Sequence, residues 1–142
     1  MPPIARSDTN TLFHIDLNWF GENARDLRHE MHNALCNECR TRYPNPDEAR
    51  VVDRVHPQTG EVQRVDALWE CLADHCGHLP EFIDKTTPLT AAIFRAFLAG
   101  GNHPMSPEQL YQRVGKSNPA GILKLLNGSD IGFGIVRANE AK

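Results

Sequence analysis

The chain has 142 residues, of which 40% are hydrophobic, 23% are charged and 7% are aromatic. This length suits one domain or two very small ones, and the composition is too apolar for a disordered chain. No run approaches the roughly 18 apolar residues of a membrane-spanning helix, and the net charge of −3 excludes a polycationic nucleic-acid coat protein.

Charge and cysteine content differ between the two ends of the chain. Residues 1–76 carry eight Lys/Arg, thirteen Asp/Glu and all four cysteines, whereas residues 77–142 carry seven Lys/Arg and five Asp/Glu. The Pro, Thr and Gly residues of 77–87 are typical of a connection. We therefore predict an α+β protein with a cysteine-bearing part at 1–80 and a mainly helical part at 81–142.

The first part is predicted to contain a strand, two helices and a hairpin. Apolar and polar residues alternate over 13–17, as in a short strand. Apolar residues at three- and four-residue spacing predict a helix over 19–40. Valines on both sides of the turn at 56–61 predict a β-hairpin. Asp66 is a suitable N-cap for a helix over 67–77.

The four cysteines form two local pairs with the spacing of a metal site. Cys36 and Cys39 are a C-x2-C pair, and Cys71 and Cys76 are a C-x4-C pair with His75 between them. Two such pairs supply the four soft ligands of a tetrahedral zinc ion. The hairpin between them gives the pattern the outline of a zinc ribbon, although ribbons usually have C-x2-C at both ends.

Two ligand sets follow from helical geometry. Cys71 and His75 lie on one face of a helix, whereas Cys71 and Cys76 are about 140° apart and share an ion only if the helix ends between them. Gly77 favours such an ending. Our first prediction is Cys71 and Cys76 together with the C-x2-C pair, and in the alternative His75 replaces one of these two. We expect a structural Zn²⁺ site, because four protein ligands close the coordination shell.

Three helices and a strand are predicted in the second part from their cap and stop residues. The first helix begins at Thr87-Pro88 and ends at Gly100-Gly101. The second has the capping-box pattern of Ser106 and Gln109. The third begins at Asn118-Pro119, and alternation over 131–135 predicts a terminal strand.

This order of elements, and the stretch His103-Pro-Met-Ser-Pro-Glu-Gln-Leu-Tyr-Gln-Arg-Val-Gly115, resembles the bacterial winged-helix regulators. The resemblance covers about residues 86–137 and implies a degenerate winged helix, because a single strand follows the third helix. In that family the third helix enters the major groove. The residues it implies for contact with DNA or a protein partner are Arg113, Lys116, Ser117, Asn118 and Lys124.

The predicted function is that of a non-enzymatic, zinc-containing regulator or adaptor that binds DNA or a protein of the gene-expression machinery. The alternative is a structural, protein-docking subunit of a larger assembly. No nucleophile elbow, P-loop or dinucleotide-binding motif is present, so we expect no catalytic residues and no small-molecule substrate. Since residues 1–20 lack a secretory signal pattern, we expect a cytoplasmic location.

Overall fold

The structure, a computed structural model, describes residues 8–19, 26–46, 51–128 and 133–138. It contains helices and small antiparallel sheets, which confirms the predicted α+β class. None of the described helices has the length and apolar character needed to cross a bilayer. The strands are β1 Phe13–Ile15, β2 Val51–Val55, β3 Val62–Asp66 and β4 Ile135–Arg137; the α-helices are α1 Leu27–Asn33, α2 Asn37–Arg42, α3 Ala67–Asp74, α4 Leu89–Ala99, α5 Pro107–Val114 and α6 Pro119–Leu126.

The prediction of one helix over 19–40 is wrong. Residues 20–25 lie outside the described part, α1 begins after the N-cap Asp26, and the chain leaves helical geometry between α1 and α2. The guanidinium of Arg40 donates hydrogen bonds to the carbonyl oxygens of Asn33 (3.1 Å) and Leu35 (2.9 Å), which lie at this break. These bonds satisfy carbonyls that a continuous helix would have bonded within itself.

The predicted hairpin and the predicted N-cap of the helix that follows it are both present in the structure. β2 and β3 pair antiparallel from Val51–Asp66 to Val55–Val62. The carboxylate of Asp66 accepts a hydrogen bond from the backbone N–H of Leu68 and so caps α3, as predicted. The guanidinium of Arg28 pairs with the same carboxylate, which ties α1 to the first turn of α3.

The predicted caps of α5 and α6 are present, whereas the predicted start of α4 is shifted by one residue. Ser106 and Gln109 form the full reciprocal capping box, and the side chain of Asn118 accepts from the N–H of Gly121. Pro88 is the N-cap of α4 rather than its first residue. Thr87 instead donates a hydrogen bond from its hydroxyl to the carboxylate of Asp84.

The terminal strand pairs with the first strand of the chain. β4 begins at Ile135, later than predicted, and residues 131 and 132 lie outside the described part. β1 and β4 are antiparallel, with Ile15 opposite Ile135. On its other edge, β1 exchanges two backbone hydrogen bonds with Met105 and two with the side-chain amide of Asn102. The N-terminal strand therefore lies between the C-terminal strand and the segment that precedes α5.

The buried side chains form one cluster that includes residues from both sides of position 80. Met31, Leu72, Phe97, Leu110 and Ile122 are all fully buried within it. The helix pairs α3–α4, α4–α5 and α5–α6 are in contact. The boundary between parts 1–80 and 81–142 stays a prediction, but both the core and the β1–β4 sheet are built from residues on both sides of it.

Candidate metal centre

Four side chains with metal-ligating atoms come together where α2 meets the end of α3. The donor atoms of Cys36, Cys39, His75 and Cys76 all lie within 4.8 Å of one another. We call these four residues the Cys/His cluster. Cys39 and Cys76 are buried, and Cys36 and His75 are partly exposed. Three of the four cysteines in our first ligand set are present, together with the histidine of the alternative set.

The break between α1 and α2 places Cys36 in this cluster. Cys36 is the N-cap of α2, with extended backbone dihedrals. In a continuous helix its N–H would donate to the carbonyl of His32. In the structure that N–H donates instead to Sγ of Cys76, at 3.2 Å. The two sulfur atoms, Cys36 Sγ and Cys76 Sγ, are 3.5 Å apart.

The end of α3 supplies the other two members. The helix stops at Asp74, so His75 and Cys76 leave the helical path, and a short 3₁₀ turn follows over Cys76–His78. Gly77 is required in that turn. A Cβ atom there would lie 2.6 Å from the carbonyl oxygen of Leu72 and 2.7 Å from the Cβ of Ala99. The glycine therefore lets the turn that carries Cys76 pack closely against α4.

Both ring nitrogens of His75 lie close to groups that orient the imidazole. Its Nδ1 lies 3.3 Å from Sγ of Cys36 and 3.6 Å from Sγ of Cys39. Its Nε2 lies 3.7 Å from Oε2 of Glu38, and the same oxygen accepts a hydrogen bond from Arg42 at 3.1 Å. Metal-binding histidines commonly direct the second ring nitrogen at a carboxylate, which fixes the ring and raises its basicity.

Glu38 is the residue whose role the sequence did not reveal. Glu38 lies on α2, one residue before Cys39, and its side chain faces His75. That relation is visible only once the location of His75 is known.

The thiols of the Cys/His cluster differ in pKa. Burial acts to raise the pKa of Cys36, but hydrogen bonds from the backbone of Cys39 and from the side chains of Cys76, Cys39 and His75 outweigh burial and lower it to about 7. Burial raises the pKa of Cys39 and of Cys76 to about 12. A cation entering the cluster therefore has to displace protons from the buried thiols.

Cys71 lies beside the Cys/His cluster but outside the set of mutually close donors. It is 6% exposed on α3. Burial raises the pKa of Cys71 as well. The neighbourhood thus holds five donors for a metal that takes four.

This donor set fits a thiophilic divalent cation. Cysteine sulfur and imidazole nitrogen are the ligands of structural zinc sites, and a tetrahedral ion with four protein ligands has no position for a substrate. The backbone N–H groups of Cys36 and Cys39 already point at sulfur atoms, so part of the outer shell exists before any ion binds.

The residues that the winged-helix resemblance implies for partner contact lie around the turn between α5 and α6. Arg113 and Lys124 are exposed and uninvolved in ion pairs within the described residues. Lys116 donates from Nζ to the carbonyl of Lys85 at 3.2 Å. Ser117 has a φ of 63° within the turn, and the side chain of Asn118 is engaged as the cap of α6.

The chain matches no protein-family model, and no curated protein or solved structure is significantly similar to it.

Proposed function

We propose that this chain is a non-enzymatic adaptor whose fold is stabilised by one structural Zn²⁺ ion. The observation that carries the proposal is the convergence of the Cys/His cluster, with His75 held between two thiols on one side and Glu38 on the other. Three thiolates and one imidazole complete a tetrahedral shell. Such an ion crosslinks α2 to the end of α3, two segments separated by the whole β-hairpin.

Support for a structural rather than a catalytic ion comes from the surroundings of the cluster. The carboxylate of Glu38 faces the imidazole and is paired with Arg42. A catalytic zinc site keeps an open position and an unengaged base next to it. In the Cys/His cluster the four donors fill the coordination positions, and the carboxylate of Glu38 is already engaged by Arg42. We therefore propose that the ion stabilises the fold.

The contact surface that we propose for the adaptor lies on the α4–α5–α6 part. The order of these helices, followed by β4, supports a winged-helix-like arrangement, and pairing with β1 gives β4 the antiparallel neighbour that a wing would supply. A protein partner is favoured over duplex DNA. Within α6 only Ala120 and Lys124 are exposed, so beyond this one lysine the helix offers no exposed side chain that could read base edges.

DNA binding is the second candidate, because Arg113, Lys116 and Lys124 lie around the helix–turn–helix. Replacing all three by Ala should weaken duplex binding without unfolding the protein. If about three phosphates are neutralised, the log–log salt slope of the wild type should be about −3. Absence of duplex binding at low salt removes this candidate and leaves the proposed adaptor role intact.

The experiment that tests the zinc proposal is a metal analysis combined with circular dichroism. The purified chain should carry about one zinc per molecule, and Cys39→Ser should lose it. Removing the ion with a strong chelator should reduce helical signal, since metal binding and folding of such sites are coupled. An unchanged spectrum and unchanged unfolding midpoint in chelator would contradict a structural ion.

A further inference from the structure

Three adjacent depressions follow the connecting segment 79–85 from the metal centre to the turn between α5 and α6. The first includes Cys36 and Cys76 in its wall, the second lies against Gly77, and the third reaches Gly115. Leu79 and Phe82 line both the first and the second depression, and Ile83 lines both the second and the third. Because neighbouring depressions share lining residues, we treat the three as one surface, which we call the 79–85 groove.

Cations outnumber carboxylates along the 79–85 groove. Arg40 and Arg95 line the first depression, Arg113 lines the second, and Lys85 and Lys116 line the third. The lining carboxylates are Glu81 and Asp84. This excess of positive charge stands out in a chain whose net charge is −3.

The five cations have no carboxylate partner among the described residues. The hydrogen bonds of Arg95 and Lys116 go to backbone carbonyls, those of Phe82 and Lys85. Asp84, the nearest acid to Lys85 in sequence, accepts hydrogen bonds from two threonines of its own turn. The positive charge of the groove is therefore available to an anionic partner.

The groove floor is apolar and has no ring on which a nucleobase could stack. Leu79, Ile83 and Val114 line it together with Phe82, which is the one aromatic residue in the three depressions. Phe82 is 5% exposed and lies beneath the guanidinium of Arg95, 5.7 Å from the ring centroid. Proteins that bind single-stranded nucleic acids commonly stack the bases on exposed aromatic side chains, and the lining of the three depressions offers none.

We propose that the 79–85 groove binds an extended segment of a partner protein in which acidic and apolar residues alternate. The carboxylates of that segment pair with the cations at the rim, and its apolar side chains contact the floor. The inference rests on the proposed adaptor role and names the partner chemistry and the surface. Because Cys36 and Cys76 form one wall, metal loading fixes the shape of that end of the groove.

The test uses the full-length, zinc-loaded chain and a fluorescein-labelled peptide of about ten residues in which Glu and Leu alternate. The groove variant is Lys85→Ala combined with Arg113→Ala. The charge-matched control is Arg64→Glu, which lowers the net charge by the same two units at an exposed site outside the groove. Circular dichroism and zinc content confirm that both variants are folded.

Fluorescence anisotropy should show about tenfold weaker binding of the Glu/Leu peptide to the groove variant, because two exposed ion pairs are lost. The control variant should bind the peptide as tightly as the wild type does. A peptide with Gln in place of every Glu should not bind. Equal weakening by both variants, or no binding of the Glu/Leu peptide at low salt, overturns the proposal. If duplex DNA binds instead and a separate Lys124→Ala variant weakens that binding, the groove is refuted while a contact role for α6 survives.

Discussion

Replacing His75 by Ala decides between the two ligand sets that the sequence left open. A structural zinc site contributes roughly 10–16 kcal/mol at pH 7. Shared among four donors, this is about 3 kcal/mol for the imidazole, which corresponds to between about a hundredfold and a thousandfold weaker binding. The structure places Nδ1 of His75 3.3 Å from the nearest thiol sulfur, so we expect the full effect.

The assay is competition against a chromophoric zinc chelator, supported by the absorption spectrum of the Co²⁺-substituted protein. The wild type should give a spectrum of three sulfur ligands and one nitrogen ligand. The control is Cys71→Ser, which alters a thiol that contacts the cluster without belonging to it, and which should keep zinc affinity within about tenfold. Glu38→Gln should weaken binding by about tenfold, the low end for an outer-shell carboxylate, because Glu38 is 62% exposed.

The opposite pattern would refute this reasoning. If Cys71→Ser loses zinc, His75→Ala retains it and the cobalt spectrum indicates four sulfur ligands, the ion binds the four cysteines of our first prediction. His75 would then be a neighbour of the site, and the carboxylate of Glu38 would have no part in metal binding.

Three further outcomes are expected. Gly77→Ala should destabilise the zinc-loaded protein by about 2–3 kcal/mol in urea unfolding, because its Cβ would overlap the Leu72 carbonyl and Ala99. Gly100→Ala, with φ −89° and no contact under 3.4 Å, is its control and should change the midpoint little. Ser106→Ala should cost about 1 kcal/mol by removing the capping box, and an unchanged midpoint would contradict that role. Zinc affinity should rise from pH 6 to pH 8, because burial raises the pKa of most of the thiols and zinc binding releases their protons. A zinc affinity that does not change with pH in chelator competition would contradict this.

Local chemistry made the caps and the hairpin readable from the sequence. Ser106, Asn118 and Asp66 each satisfy backbone N–H groups two or three residues further along, so their effect needs no tertiary context. The hairpin is similarly local, since β2 and β3 are joined by one short turn. Cysteine spacing also identified the region of the metal centre, because both pairs are formed by residues close in the chain.

Tertiary packing decided the features that depend on distant residues. No glycine or proline marks the helix break before Cys36 in the sequence. The backbone N–H of Cys36, which the break leaves without a helical partner, donates to Sγ of Cys76, forty positions away. The partner of β4 is β1, at the other end of the chain, and no periodicity in either strand encodes that choice. The sequence by itself thus determined the helix caps, the hairpin and the residue types that gather at the candidate metal site. The preference for His75 over Cys71, and the placing of five cations along one groove, came only from the folded arrangement, because both depend on where separate segments meet in space.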